Sequence, residues 1–439
     1  MRLISWAALL LASLGLSGPA SANGFSLPVQ DALQVGRANA GTVAAASDAS
    51  TTFHNPAGMT ELSGEQMLAG ATVVYAGYNV SNRDSTATTP GTGGTSSLIL
   101  GKNGHPRTVE VVPSLFYARP AGPERILWFG LAVTSPWGLG AEYNDDWFGR
   151  YDSIETRLRT INLSPVVAYR ITRWLSAGGG LNFEYADAKL TSALPNTLAP
   201  GGPSAATDGM SKLTGDSIAV GFNVGVLIKP LPHTRIGLHY RSAMNHDLSG
   251  KLKVSGLTGA LAGGNGRSDA KLKLKEPDVA SIGIVHEALP GTTLFAEAQW
   301  FNWSRFKELR VRLSDDRPDS VRPQDWKDTW SFYGGIEQRL FEHWTLRGGA
   351  GYEPTPTVNA FRNTSLPDGD RIRVGVGASY DWSDRLRIDF GYAHVFSERK
   401  NIDLNRTFFE GSPAEGSVNT RARANLFIND FALRVRYRF

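Results

Sequence analysis

From about residue 67 to its last residue the chain alternates apolar and polar positions with a period of two. That is the repeat of a strand whose two faces meet different surroundings. The closing stretch "NLFINDFALRVRYRF" is the plainest case. Phe427, Phe431, Leu433, Val435, Tyr437 and Phe439 share one face, with Asp430, Arg434, Arg436 and Arg438 on the other. "DRIRVGVGASYDW" sets Ile372, Val374 and Val376 against Arg371, Arg373 and Gly375. "DRLRIDFGYAHVF" sets Ile388 and Phe390 against Arg387 and Asp389, and "GDSIAVGFNVGVLI" sets Ile218, Val220 and Phe222 against Ala219, Gly221 and Asn223. An apolar face backed by arginines fits a strand with lipid on one side and a polar lumen on the other.

The connections sort by length. Short joints fall at 120–124, 170–173, 229–234, 288–292, 341–343 and 381–385. Long polar connections fall near 81–104, 136–153, 189–211, 247–270, 304–326, 354–370 and 398–425. Six short and seven long connections predict 14 antiparallel strands, with short turns on the periplasmic side and long loops outside. Trp174, Trp344 and Trp382 beside short turns, and Trp300, Trp303 and Trp330 beside long loops, fit two interfacial girdles. An open sheet edge in hydrocarbon would leave backbone groups unpaired, so the sheet must close into a barrel.

Composition narrows the class. The 439 residues include no cysteine, which excludes disulfides and thiolate metal sites, and the net charge of +4 is too small to suggest nucleic acid. Mean hydropathy is slightly negative, as expected when only alternate strand residues meet lipid. The start, "MRLISWAALLLASLGLSGPASA", has a cationic Arg2, an apolar run and Ala20-Ser21-Ala22, the pattern of a secretory signal peptide. The expected organisation is therefore a signal peptide over 1–22, a plug over 23–66 and a transmembrane β-barrel over 67–439.

The plug is expected because residues 23–66 lack strand alternation and are rich in Ala, Gly and Ser. Such a segment packs tightly inside a lumen, and a 14-stranded barrel has a lumen wide enough to need filling. The stretch "GFSLPVQDALQVGRANAGTVAAASDASTTFHNPAGMTEL", with Asn55, Pro56, Ala57 and Gly58, resembles the N-terminal hatch of the FadL/TodX outer-membrane transport proteins. "VVPSLFYARP", "TSPWGLGAEYNDDWFGRY", "GVLIKPLPHTRIGLHYRS", "LPDGDRIRVGVGASY" and "IDFGYAHVF" resemble family segments in the same order, so the likeness spans the mature chain.

The resemblance implies a 14-stranded, hatch-plugged barrel in the outer membrane of a Gram-negative cell. Its expected cargo is a hydrophobic molecule, either a long-chain fatty acid or an aromatic hydrocarbon such as toluene. Its expected surroundings are outer-membrane lipid and lipopolysaccharide. The C-terminal Phe439 resembles the sorting signal read by the barrel-assembly machinery, and family members are monomeric. The family's lateral wall gap at a kinked third strand maps onto "ILWFGLAVTSPWGLG". There Gly130, Pro136 and Gly138 either shape such a gap, near Gly130 and opposite Asn55-Pro56, or simply end the strand. Leu190, Leu194, Leu198, Val254, Leu257 and Leu261, in loops 189–211 and 250–267, either line a capture groove or belong to solvated loop. Lys189 is the candidate partner for a ligand carboxylate, although the neighbouring Asp187 departs from a basic pattern. Arg371, Arg373, Arg434 and Arg436 are expected to pair with Asp389 and Asp430.

Other classes find little support. His54 beside Asn55, or His239 with Ser242, gives no hydrolase motif, and the histidines lack metal-ligand spacing. No catalysis, metal or cofactor is therefore expected. A general diffusion porin is the remaining alternative.

Overall fold

In the computed structural model, which describes residues 24–315 and 319–439, the alternating segments form one closed antiparallel sheet. The expected signal segment, residues 1–22, lies outside the described residues. Fourteen strands cross the barrel wall. They are β1 (Gln66–Asn82), β2 (Arg107–Ala121), β3 (Leu127–Thr134 and Gly138–Glu142), β4 (Glu155–Arg170), β5 (Leu175–Leu194), β6 (Gly209–Leu231) and β7 (Thr234–Arg241 and Asn245–Ser255). The rest are β8 (Gly266–Lys275 and Val279–Leu289), β9 (Thr292–Phe301), β10 (Thr329–Leu340), β11 (Trp344–Glu353), β12 (Arg371–Asp381), β13 (Leu386–Ser397 and Lys400–Phe408) and β14 (Gly416–Arg438). β1 pairs with β14 from Gln66↔Arg438 to Asn82↔Ala422, and that seam closes the cylinder.

Alternation sorts side chains as the period-two pattern requires. Ile218, Val220, Ile372, Val376, Phe390, Phe431 and Leu433 face outward and are exposed, where lipid would cover them. Arg371, Arg373, Asp389, Asp430, Arg434 and Arg436 are buried in the lumen. Arg373 pairs with Asp430 at 2.6 Å and Arg434 with Asp389 at 2.8 Å. Arg371 and Arg436 take other partners, Asp368 and Asp381.

The N-terminal segment fills the lumen as three short helices, α1 (Ala32–Gly36), α2 (Thr42–Ala45) and α3 (Thr51–His54), followed by a 3₁₀ turn, Pro56–Glu61. Two devices seat it. Electrostatically, Arg434 reaches from β14 to Asp31 at 3.3 Å and Asp48 at 2.5 Å, tying the start and middle of the plug to one wall residue. Sterically, inward-facing glycines let wall and plug backbones touch. A Cβ at Gly237 would lie 1.9 Å from the Val43 carbonyl oxygen, one at Gly349 2.1 Å from Arg37 O, and one at Gly391 2.4 Å from Ala32 O. The small-residue plug and the glycine-lined wall are thus two halves of one fit.

Two segments expected as loops are partly strand. β5 runs to Leu194 and β6 starts at Gly209, while β7 continues to Ser255 and resumes as β8 at Gly266. These ends continue the barrel sheet as paired ladders, for example Leu190↔Leu213 and Val254↔Ser211. Their outward positions carry Lys251, Lys253, Lys271 and Lys273 instead of apolar residues, so the lipid-facing signature is lost while the period persists.

The close wall–plug contact makes a prediction. Gly349→Val should push Arg37 and its neighbours off the wall, raising planar-bilayer conductance severalfold. The barrel itself should still fold, as judged by heat-modifiable migration on gels. Unchanged conductance would mean that the plug absorbs the clash.

A candidate binding cavity and a break in the barrel wall

The third strand is interrupted. The lower half of β3 pairs with both neighbours, Leu115↔Val133 to Ala121↔Leu127 with β2 and Leu127↔Tyr169 to Thr134↔Asn162 with β4. Its upper half pairs with β4 alone, from Gly138↔Arg159 to Glu142↔Glu155. The cause is Pro136, which cannot donate to a ladder, at the step between the halves. Above Leu115, β2 therefore has no ladder partner on this side, leaving a window in the wall. Pro113, on that unpaired edge, leaves one orphan donor fewer. Val109 and Val111 on the window's outer rim are 63% and 61% exposed. An ion pair, Glu110–Arg159 at 3.0 Å, crosses from β2 to β4 over Gly138.

From inside, the plug closes the break. Leu27 N donates to Pro136 O at 2.9 Å, Gly138 N donates to Phe25 O at 3.0 Å, and Ser26 bridges to Trp137. The Gln30 side chain donates to Ser135 O and accepts from Ser135 N, at 2.8 and 2.9 Å. The strand's missing backbone partners are thus supplied by the plug, which couples the two mechanically.

Two cavities meet at Phe25. The lower one, about 520 Å³, runs from the window past Val112, Leu139 and Ile161 to the first plug residues. The upper one, about 90 Å³, lies among Leu158, Leu190, Leu248, Leu272, Leu274 and Leu309. Phe25, Leu139, Leu158 and Leu366 line both. Phe25 sits edge-on in an aromatic cage, 4.8 Å from Trp303 and 5.8 Å from Trp137 and Trp326. The polar end of the upper cavity carries Arg322, Arg406, Gln324 and Asn363. Arg406 pairs with Asp152. Repulsion from Arg406, with burial adding to it, pulls the Arg322 guanidinium down to about 9, and Asp152 acts the other way. Two guanidiniums at one end of a leucine-lined cavity can hold a carboxylate whose tail is apolar.

The structure distributes the sequence candidates as follows. Gly130 is paired on both sides, to Ala118 and Val166, and packs on Thr52 and Met59; Pro136 and Gly138 lie at the break itself. Asn55 and Pro56 face Gly225 and Gly178 on β6 and β5, not Gly130. Asn55 Nδ2 donates to Val43 O at 2.7 Å and Val226 O at 3.0 Å, while its Oδ1 accepts from Ala57 N at 3.2 Å. One side chain thereby fastens plug to plug and plug to wall. Pro56 starts the 3₁₀ turn with a preset φ, and a Cβ at Gly58 would lie 2.2 Å from Thr51 Oγ1.

Leu190 lines the upper cavity. Leu257 packs on Gly209, Val254 is buried on β7, Leu261 is half-buried and Leu198 is exposed. Leu194 ends β5 half-buried. Lys189 is ion-paired with Glu155, and Asp187 with Arg157 at 2.8 Å, so both are neutralised on the wall. His54 binds Asp31 at 2.7 Å inside the plug, and Ser242 Oγ accepts from Phe222 N, so neither forms a catalytic array with His239. Arg322 and Arg406 carried no local sequence signal, because they come from strand segments far apart in the chain, Ser320–Pro323 and Lys400–Phe408.

A closed barrel with a seated plug and an apolar cavity leading to a wall break defines an outer-membrane transporter of hydrophobic compounds. Residues 13–439 match the family described as outer membrane protein transport protein (OMPP1/FadL/TodX), and the chain belongs to that family of transporters. It is 28% identical over 406 residues to the long-chain fatty acid transport protein of Escherichia coli O6:H1, covering 86% of this chain and 88% of that one. It is 27% identical over 410 residues to outer membrane protein P1 of Haemophilus influenzae, covering 87% and 88%. In structure it resembles a Pseudomonas aeruginosa FadL homologue (TM-score 0.84, 24% identity, 95% of this chain and 100% of that one). It also resembles the Pseudomonas putida toluene transporter TodX (TM-score 0.68, 17% identity, 96% and 100%). The protein resides in the outer membrane of a Gram-negative bacterium.

The paired guanidiniums predict a head-group preference. Arg322→Ala with Arg406→Ala should weaken binding of a long-chain carboxylate about tenfold or more, as loss of charge-assisted hydrogen bonds implies. Binding of the alcohol of equal chain length should hardly change. Fluorescence titration of both ligands checks this, and equal losses would remove the arginines from head-group recognition.

Proposed function

We propose that this protein takes up long-chain fatty acids by passive transport, and that they leave sideways through the window in β3. The observation that carries the reading is the leucine-lined upper cavity ending in Arg322 and Arg406, whose cationic end suits a carboxylate head group better than an uncharged aromatic ring. Capture occurs among the outer strand ends, and the tail enters past Leu190 and Leu272. Each methylene gains about 0.8 kcal/mol on leaving water, so the cavity needs few polar contacts to hold its ligand.

Movement from the upper to the lower cavity requires Phe25 to leave its aromatic cage. Because Phe25 and Leu27 are hydrogen-bonded to Gly138 and Pro136, that displacement loosens the break and opens the window toward lipid. In this mechanism Asn55 holds the far side of the plug fixed to β6 while its first residues move. A general diffusion porin fits less well, because the plug occupies the lumen and is tied to the wall by Arg434 and Asn55. The exposed lysines on β7 and β8 favour contact with the phosphates of lipopolysaccharide, and the exposed terminal Phe439 supports delivery by the barrel-assembly machinery. A sheet that closes on itself suits a monomer.

The window can be locked. A Cβ at Gly140 would lie 3.8 Å from Thr108 Cβ, the spacing of a disulfide, and the chain has no competing cysteine. Oxidised Thr108→Cys/Gly140→Cys protein should lose most oleate uptake and regain it on reduction, while oleate binding in detergent persists. Full uptake in the cross-linked state would rule out lateral exit. Uptake of toluene in place of oleate by the unmodified protein would move the substrate to the aromatic hydrocarbons.

A further inference from the structure

Inside the lumen, beside the leucines that line the upper cavity but outside both cavities, three wall strands bring together Glu184 of β5, His246 of β7 and Glu276, which follows the upper half of β8. They are far apart in sequence. β7 breaks at Ser242–Met244 and β8 at Glu276–Asp278, at the same level of the barrel, and Glu276 N donates to Met244 O at 2.9 Å. The paired breaks turn His246 and Glu276 inward beside Glu184.

We infer that Glu184, His246 and Glu276 form a binding site for a divalent transition-metal ion, zinc being the best match. His246 Nε2 lies 3.4 Å from Glu184 Oε1 and 3.6 Å from Glu276 Oε1, and the three donor atoms all fall within 4.8 Å of one another. These spacings exceed the roughly 2.7–2.9 Å of a charge-assisted hydrogen bond. They approach the edge of about 3.3 Å between ligands of a tetrahedral zinc ion bonded at about 2.0 Å.

The remaining atoms are arranged as metal ligands require. His246 Nδ1 is held 2.9 Å from Ser217 Oγ, which orients the ring with Nε2 toward the carboxylates. Asn162 Nδ2 donates to Glu184 Oε2 at 3.2 Å, leaving Oε1 for the ion. The independent sign of a ligand is Glu276. It is only 1% exposed, and neither of its carboxylate oxygens has a hydrogen-bond partner. A buried carboxylate so placed, beside a second one, needs a shared cation or a shared proton.

Arg241 is the guanidinium that faces the pair; it leans on the plug and makes no hydrogen bond to either carboxylate. Its Nη2 donates to Phe53 O at 3.1 Å, and its Cζ lies 4.2 Å over the Phe53 ring. One imidazole and two carboxylates leave room for water at the fourth position, the ligand mix that zinc accepts and that manganese and cobalt also take. A bound ion would clamp β5 to the breaks in β7 and β8, so its role is to stiffen the wall where two strands are interrupted.

The experiment uses the full, tag-free protein in detergent after treatment with a chelator. Equilibrium dialysis against Zn²⁺, followed by metal analysis, should find one ion per chain, and the thermal midpoint should rise with free Zn²⁺. Glu276→Gln and His246→Ala should each weaken binding at least tenfold. Wild-type protein loaded with Co²⁺ should show the visible bands of a tetrahedral site, a readout that needs no variant to fold. Absence of those bands, or zinc binding by wild type no tighter than by the double variant, would overturn the site and leave a proton shared between the two glutamates.

Discussion

Lipid offers no partner to a backbone amide, and the architecture follows from that single deprivation. Every strand in the hydrocarbon must be paired on both sides, so the sheet closes with β1 against β14 in a register that runs the whole length of β1. Where the ladder lapses beside Pro136, the plug takes over the pairing of the interrupted β3. Phe25 and Leu27 occupy the hydrogen-bonding positions that a continuous β3 would have left to a neighbour. Wall and plug are therefore one bonded system, and a shift in the first plug residues is felt at the break.

The same economy explains why the plug is small-residued and the lumen glycine-rich. Backbone-to-backbone approach at Gly237, Gly349 and Gly391 leaves no volume for side chains on the wall. Specific polar contacts then hold the plug in one orientation. Arg434 carries three carboxylates, Asp31, Asp48 and Asp389, from a single position. Truncating one member of such a buried set leaves the others uncompensated, at a cost of about 3–5 kcal/mol. From Asp31 onward the plug is held tightly by Arg434 and Asn55, while its first residues are held mainly by aromatic contacts and four hydrogen bonds around the break. That gradient is what a segment must have if its tip is to move while its body stays.

The cavity divides recognition between two kinds of force. Leucines from β4, β5, β7 and β8 supply nondirectional burial for a tail, and Arg322 and Arg406 supply charge at one end. Neither alone distinguishes a fatty acid from other greasy molecules. In the proposed uptake of fatty acids, length and charge together make the distinction, because the leucines and the guanidiniums occupy opposite ends of one cavity. Glu184, His246 and Glu276 show the same principle elsewhere in the lumen, where chemistry is assembled from strands that share nothing locally.

What the sequence determined by itself is whatever depends on period. Alternation set strand number, the lipid-facing rows of Ile218, Val220 and Phe431, and the lumen-facing placement of Arg373, Arg434, Asp389 and Asp430, because a strand's two faces follow from spacing alone. Small-residue composition likewise marked the plug. Tertiary structure decided whatever depends on which strands become neighbours. It put Asn55 against β6 instead of Gly130, neutralised Lys189 with Glu155, turned part of two expected loops into strand, and brought Arg322 to Arg406. Those contacts join residues distant in the chain. Local pattern carries no record of them, since the closure of the barrel, and not the sequence around each residue, selects its neighbours.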